Sequence, residues 1–288
     1  MKRIFIIMIL AISSSISFAQ TDSSKSAATD SVLTKSTLTL GTVYSNNASY
    51  YGERAEENTP YVAVAATYQL KSGIYFTGQT YKLLNDNSST LSASAIGAGV
   101  TLKVSKKLST DISYSHSFYP SYSPLLQSAN ADNASINFSY NGWIKPSVTG
   151  DYAFGKTSDA FVTAGISKQI NLFSITSKDI VTITPSANVV AGTQHFYQTY
   201  IQEKKLRDSL LGILTDPLFG SSGNTSESKS VVNTYFNLLS YSLKLPLDYN
   251  RAHYLVEAAY QLSMLSPQAQ TGKGNLNSFL TFSFYYQF

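Results

Sequence analysis

From Asn133 to Asn141 the chain alternates without a break, with Ala134, Ile136, Phe138 and Tyr140 between Asn133, Ser135, Asn137, Ser139 and Asn141. Successive strand side chains point to opposite faces, so this pattern predicts a strand with one apolar and one polar face. Leu108 to Phe118 repeats it, with Leu108, Ile112, Tyr114 and Phe118 opposite Ser109, Asp111, Ser113, Ser115 and Ser117. Further strands are predicted near 37–45, 61–70, 74–84, 91–104, 146–154, 160–171, 180–194, 231–245, 252–263 and 276–288. Strict alternation over about ten residues is the pattern of a transmembrane barrel, apolar toward lipid and polar toward the lumen. The predicted fold is all-β: one antiparallel up-and-down transmembrane β-barrel over 37–288 with twelve strands, ten or fourteen being the alternatives. A soluble β-sandwich also alternates, but it accounts for neither the loop lengths nor the chain end described next.

The connections alternate in length. Lys71-Ser72-Gly73, Ser105-Lys106-Lys107 and the Gly142–Lys145 stretch are tight turns, whereas Asn46–Pro60, Asn85–Ser89, Tyr119–Asp132, His195–Ser230 and Met264–Asn275 are longer. Short turns at one end and long loops at the other are expected of a barrel that crosses a membrane. Two places fit less well. Pro185 removes a ladder hydrogen bond inside a predicted strand. Val231–Leu245 keeps its alternation only with a bulge near Leu238–Leu239. Aromatic residues gather near strand ends, predicting an outer girdle of Tyr44, Tyr61, Tyr81, Phe118 and Phe196. The inner girdle would hold Tyr68, Tyr140, Trp143, Tyr254, Tyr286 and Phe288.

Composition sharpens the class. Only 13% of residues are charged, while 21 Tyr and 15 Phe are present, which suits a membrane surface with aromatic rims. Lys2 and Arg3, the apolar run Ile4–Ile12 and Ser17-Phe18-Ala19 together read as a signal peptide over 1–19. Residues 20–36, rich in Ser, Thr, Ala and Asp, read as a flexible periplasmic lead-in. Without Lys2 and Arg3, 19 basic residues stand against 17 acidic ones, a balance that does not point to nucleic acid. The chain has no cysteine, so neither a disulfide framework nor a cysteine-linked lipid anchor is available.

The last stretch, LNSFLTFSFYYQF over Leu276–Phe288, places Leu280, Phe282, Phe284, Tyr286 and Phe288 on one side. In water this would be an exposed sticky edge; in lipid the edge vanishes when the sheet closes. On these residues the chain resembles bacterial outer-membrane β-barrel proteins, whose last strand commonly ends in Phe with aromatic or apolar residues at alternate positions before it. No subfamily is singled out. The resemblance implies an outer-membrane location, contact with outer-membrane lipid, and reading of Phe284, Tyr286 and Phe288 by the barrel assembly machinery.

Chemistry-bearing motifs are sparse. His116, His195 and His253 do not form a constellation, and adjacent His116 and Ser117 point to opposite faces. No metal-ligand spacing and no phosphate-binding glycine loop is evident, so the expectation is a non-enzyme without cofactor or metal. Parity directs Lys103, Asp111, Asp151, Lys244 and Glu257 into the lumen. They would form either a charge-balanced network satisfying buried polar groups or a polar path with weak charge selection. Within the extracellular loop 195–230, Tyr197, Tyr200, Ile201, Leu210, Leu211 and Leu214 recur at helical spacing, which predicts a short amphipathic helix on the rim or in the mouth. The leading functional expectation is a porin-like passive channel for small solutes. A barrel acting through its outer loops on an extracellular partner is the alternative, and an outer-membrane hydrolase a distant one.

Overall fold

A computed structural model of the 288-residue chain describes residues 7–8, 16–17, 35–86, 90–121, 123–204, 235–269 and 276–288. Most of the expected signal peptide and of the lead-in lies outside the described residues, as do 205–234.

Among the described residues, fourteen strands form one antiparallel sheet. They are β1 (Thr37–Ser45), β2 (Tyr61–Gln69), β3 (Ile74–Leu83), β4 (Ala93–Lys103), β5 (Leu108–Phe118), β6 (Asp132–Tyr140) and β7 (Lys145–Phe154). After these come β8 (Ser158–Ser167), β9 (Ile170–Phe173), β10 (Asp179–Ile183), β11 (Ser186–Gly192), β12 (Asn237–Arg251), β13 (Tyr254–Leu265) and β14 (Leu276–Gln287). Strands β8 and β9 are two pieces of one stave, and so are β10 and β11, because their pairings stay in a single register across the breaks. Pro185 is the interruption that its missing N–H demands. Thr184 N donates to Pro246 O and Lys168 N to Pro185 O, each at 3.1 Å, which carries the ladder past it. The result is twelve staves, closed where β14 pairs with β1 and β12 pairs with β13.

Burial follows parity. On β6, Ile136, Phe138 and Tyr140 face outward and are exposed, while Asn133, Ser135 and Asn137 face inward and are buried. The last strand behaves alike: Leu280, Phe282, Phe284 and Tyr286 point out, and Tyr285 lies inside. Outward residues such as Val64, Phe76, Ile96, Val148 and Leu243 make a continuous apolar belt that water would penalise and lipid would not. The barrel is therefore a membrane-spanning one.

Both barrel ends of the chain lie together, since Gln287 pairs with Thr39. The same end carries the tight turns. In one, Leu70 N donates to Ile74 O at 2.8 Å; in another, Ser105 N donates to Leu108 O at 3.0 Å. Its rim carries Trp143, whose ring lies 3.6 Å from Lys168 Nζ, and Tyr140, Tyr286 and Phe288, all exposed. The opposite end carries the long connections.

Two sequence expectations need correction. The strand expected at 231–245 is β12, Asn237–Arg251, about six residues later. Its closing turn is made by Ala252, in the left-handed region at φ 40°, a position that no glycine signals. The expected bulge is there, with Leu239 skipped between Val190↔Ser240 and Ala191↔Leu238. Second, Tyr61, Tyr81 and Phe196 are not part of the outer girdle. Tyr61 and Tyr81 share the inward parity of Ala63 and are buried in the lumen, and Phe196 is buried in a helix.

Candidate functional site

The long-loop mouth is closed by the chain itself. Loop 46–60 folds inward and ends in a tight reversal, where Tyr50 N donates to Glu53 O at 2.9 Å and Glu53 N to Tyr50 O at 3.0 Å. Tyr51 (φ 52°) and Gly52 (φ 88°) are both left-handed, the conformation of a two-residue hairpin turn. Glycine is needed for a further reason, because a Cβ at Gly52 would lie 2.6 Å from Ser240 Oγ. The tip is thus pressed on the wall. Ser240 Oγ donates to Tyr51 O at 2.7 Å, and Asn277 Nδ2 donates to Gly52 O at 3.0 Å. The Tyr51 ring stacks on Phe161 with centroids 3.7 Å apart, and Tyr50 meets Phe196 edge-on at 4.8 Å. Leu126 and Ala129, in the 3₁₀ turn Leu126–Ala129, complete this apolar plug with Leu239 and Ala153.

A helix, α1, starts at His195 and runs through 204, the last described residue of that stretch. Its apolar side, Phe196, Tyr197, Tyr200 and Ile201, lies on the plug, as the helical spacing predicted over this part; Leu210, Leu211 and Leu214 lie outside the described residues. What anchors α1 is Asp159, 1% exposed on β8. Its Oδ1 accepts from Thr193 Oγ1 and His195 N, both at 2.7 Å, and lies 3.0 Å from His195 Nδ1. Its Oδ2 accepts from Asn130 Nδ2 at 2.8 Å and Phe196 N at 2.9 Å. A carboxylate bonded to the first N–H groups of a helix is favoured by both capping and the helix dipole. Ion pairs hold the other end of the described helix, Lys204 to Glu56 at 3.3 Å and Lys156 to Glu203.

Below the plug the lumen is narrow, polar and lined by side chains from every stave. A cavity of about 20 Å³, room for about one water, lies beneath Tyr50 and is lined by Gln79, Ser115, Ser117, Gln127 and Asn133 among others. Asp111 is fully satisfied: Tyr75 Oη and Thr101 Oγ1 each donate to it at 2.7 Å. Tyr75 reaches that carboxylate by lying flat across Gly99, where a Cβ would come within 2.4 Å of its ring. Asp151 is buried beneath Tyr51, beside Asn133 and Ser135. Lys103 faces inward at the short-turn rim and is exposed.

Lys244 and Glu257 come together, and the structure adds Asp248. The register sets Thr182, Asp248, Glu257 and Ser283 side by side across four staves. Asp248 and Glu257 are each 1% exposed and Lys244 is 8% exposed, with Lys244 Nζ 4.0 Å from Glu257 Oε1. The register makes Asp248 and Glu257 direct cross-strand neighbours. Neither Glu257 oxygen nor Lys244 Nζ has a partner in hydrogen-bond geometry among the described residues. Thr182 Oγ1 donates to Asp248 Oδ2 at a long 3.4 Å, and Asn250, two residues along the same face, has both amide atoms unpaired. Reading β12 as ending at 245 left Asp248 and Asn250 unplaced; extending its alternation past Pro246 would have found them.

The histidines stay apart. His116 is on the outward face with its Nδ1 2.7 Å from Asp132 Oδ1, His195 is on Asp159, and His253 is at the short-turn rim near Gln287 O at 3.1 Å. Among the described residues no group of three or more His, Asp or Glu side chains is arranged to hold a metal ion.

No family model matches the chain, and no curated protein matches it. Solved structures give likenesses of barrel outline. The KdgM porin has a TM-score of 0.47 at 7% identity, covering 87% of this chain and 99% of that one. The NanC porin has a TM-score of 0.44 at 7% identity, with 86% and 98% covered. The COG4313 outer membrane channel from Pseudomonas putida F1 has a TM-score of 0.44 at 9% identity, with 89% and 97% covered. At such scores these likenesses bear on neither function nor substrate.

Proposed function

We propose that this barrel resides in a bacterial outer membrane with its long loops outside, and works as a porin-like channel for small solutes. The observation that carries the reading is the unsatisfied polar interior. Lys244 Nζ, both Glu257 oxygens, Asp248 Oδ1, both Asn250 amide atoms and Ser283 Oγ are buried without hydrogen-bond partners in good geometry among the described residues. A barrel filled for stability alone satisfies such groups or replaces them, because each unmet one costs about 1–3 kcal/mol. A lumen that takes up water and polar solutes needs them. The plug of loop 46–60 and α1 closes the mouth, which makes the mouth the gate of this channel. The expected result for purified, folded protein in a planar bilayer is discrete current steps. A heat-modifiable, correctly folded barrel that stays silent over many insertions would remove the channel reading.

A further inference from the structure

Among the described residues below the plug, the inward face carries the carboxyls of Asp111, Asp151, Asp248 and Glu257 against Lys244 on the wall and Lys103 and Lys145 at the short-turn rim. Both oxygens of Asp111 accept a hydrogen bond, from Tyr75 and Thr101, and Asp151 lies under the plug. Asp248 and Glu257 remain, side by side in register, and Lys244 approaches Glu257 from two repeats of the β pleat away from Asp248 on the same face. At 4.0 Å the ammonium is near the Glu257 carboxylate without bonding it, and with Nζ unpaired it is a buried polar group aimed into the cluster. Lysine is a point charge on a flexible four-carbon stem. It can leave the pair without any movement of the backbone.

We propose that Asp248 and Glu257 form a binding site for small cations, ammonium- and guanidinium-bearing solutes included, with Lys244 as a tethered counter-ion that an entering cation displaces. Resting on the channel reading above, the site gives that channel its solute class. Lys244 fills the place of a solute cation when none is present, so the two carboxylates keep one positive charge beside them in a low-dielectric wall. An arriving cation takes over the carboxylates while the lysine stem swings along the lumen. The same exchange lets the cation leave, because the tethered ammonium competes for its place, and a site on a path must release as well as bind. An anion meets two carboxylates for each ammonium and is disfavoured.

Two measurements test this on the full-length protein. Reversal potentials in a KCl gradient should show cation preference, raised several-fold in Lys244→Gln and reduced in the near-isosteric Asp248→Asn and Glu257→Gln. Anion preference in the native barrel, or a preference that none of the three substitutions moves, would overturn the proposal. Thermal unfolding of the folded barrel in detergent does not depend on conduction. Putrescine should raise the midpoint and succinate should not, because a ligand that binds only the folded state stabilises it. Loss of the putrescine shift in Asp248→Asn and Glu257→Gln supports the site; equal shifts with both compounds, or a shift unchanged by both substitutions, sinks it. A silent barrel that still shows the specific shift would separate failure of the channel from failure of the site.

Discussion

Two buried carboxylate sites sit on the inner wall, one at the mouth and one toward the short-turn end, and they are built in opposite ways. Asp159 at the mouth accepts hydrogen bonds from Thr193, Asn130 and the first two N–H groups of α1, with His195 against the same oxygen. Every lone-pair direction has a use, and the site pins one segment to another. Asp248 and Glu257, toward the short-turn end, are just as buried, yet have a distant ammonium, a long hydroxyl contact and each other. Equal burial with unequal satisfaction separates a carboxylate that holds structure from a pair left open to something that comes and goes.

The frame under both sites is the most severe test. Ile136→Arg or Phe138→Arg puts a charge on the lipid face near mid-height and should cost about 2–4 kcal/mol, seen as loss of heat-modifiable folded barrel. Ser135→Arg and Asn137→Arg point into the lumen and should assemble. Equal tolerance of both sets would break the parity on which either carboxylate is placed.

Next in size is Asp159 itself. Asp159→Ala strands Asn130, Thr193 and the helix N–H groups and should cost about 1–3 kcal/mol, with protease cleavage appearing near α1. Asp248→Asn removes a charge that was poorly paired and should be near-neutral or stabilising. Similar losses from both would erase the distinction between the two sites. A smaller effect is expected from Tyr51→Ala, which gives up a stacked pair worth about 0.5–1.5 kcal/mol beyond its buried area and should lengthen open times.

The smallest expected effect is on pH. The Glu53 carboxyl at the plug tip is held well above its ordinary value of 4.5, first by burial and to a lesser degree by nearby Asp159, against a lowering hydrogen bond from Gln194. A carboxyl raised in the docked state supports docking fully below its ordinary value, and that support is lost as pH rises through the raised value. The mouth should therefore open more often as pH rises above the usual carboxylate range. Glu53→Gln should flatten that dependence with the mouth kept closed, and an unchanged slope would show that Glu53 is not the group responsible.

Much of the barrel was legible because one face of every stave meets lipid and the other does not. That constraint writes itself into Asn133–Asn141 and Leu276–Phe288 as strict alternation, and into Leu238–Leu239 as a one-residue break. Inward-facing charges on clean strands, Asp111, Asp151, Lys244 and Glu257, could be assigned by counting. Asp248 could not, since it lies beyond Pro246 in a stretch that ends at a turn made without glycine. Loop 46–60 was harder still: an inserted loop has no period, and only Tyr50-Tyr51-Gly52, two large rings beside a residue suited to positive φ, hints that its tip is buried. Asp159 looks like any loop-flanking aspartate until Thr193, His195 and Phe196 are brought to it from more than thirty residues away.

In the proposed channel the labour is divided, with the mouth deciding when the path is open and the Asp248–Glu257 pair deciding what passes. Single-channel recording of the native barrel beside Tyr51→Ala and Glu257→Gln, in one KCl gradient, separates the two roles. Tyr51→Ala should raise open probability and leave the reversal potential where it was, while Glu257→Gln should shift the reversal potential toward anions and leave open probability alone. A Tyr51→Ala barrel with altered selectivity, or a Glu257→Gln barrel with altered gating and unchanged selectivity, would contradict that division.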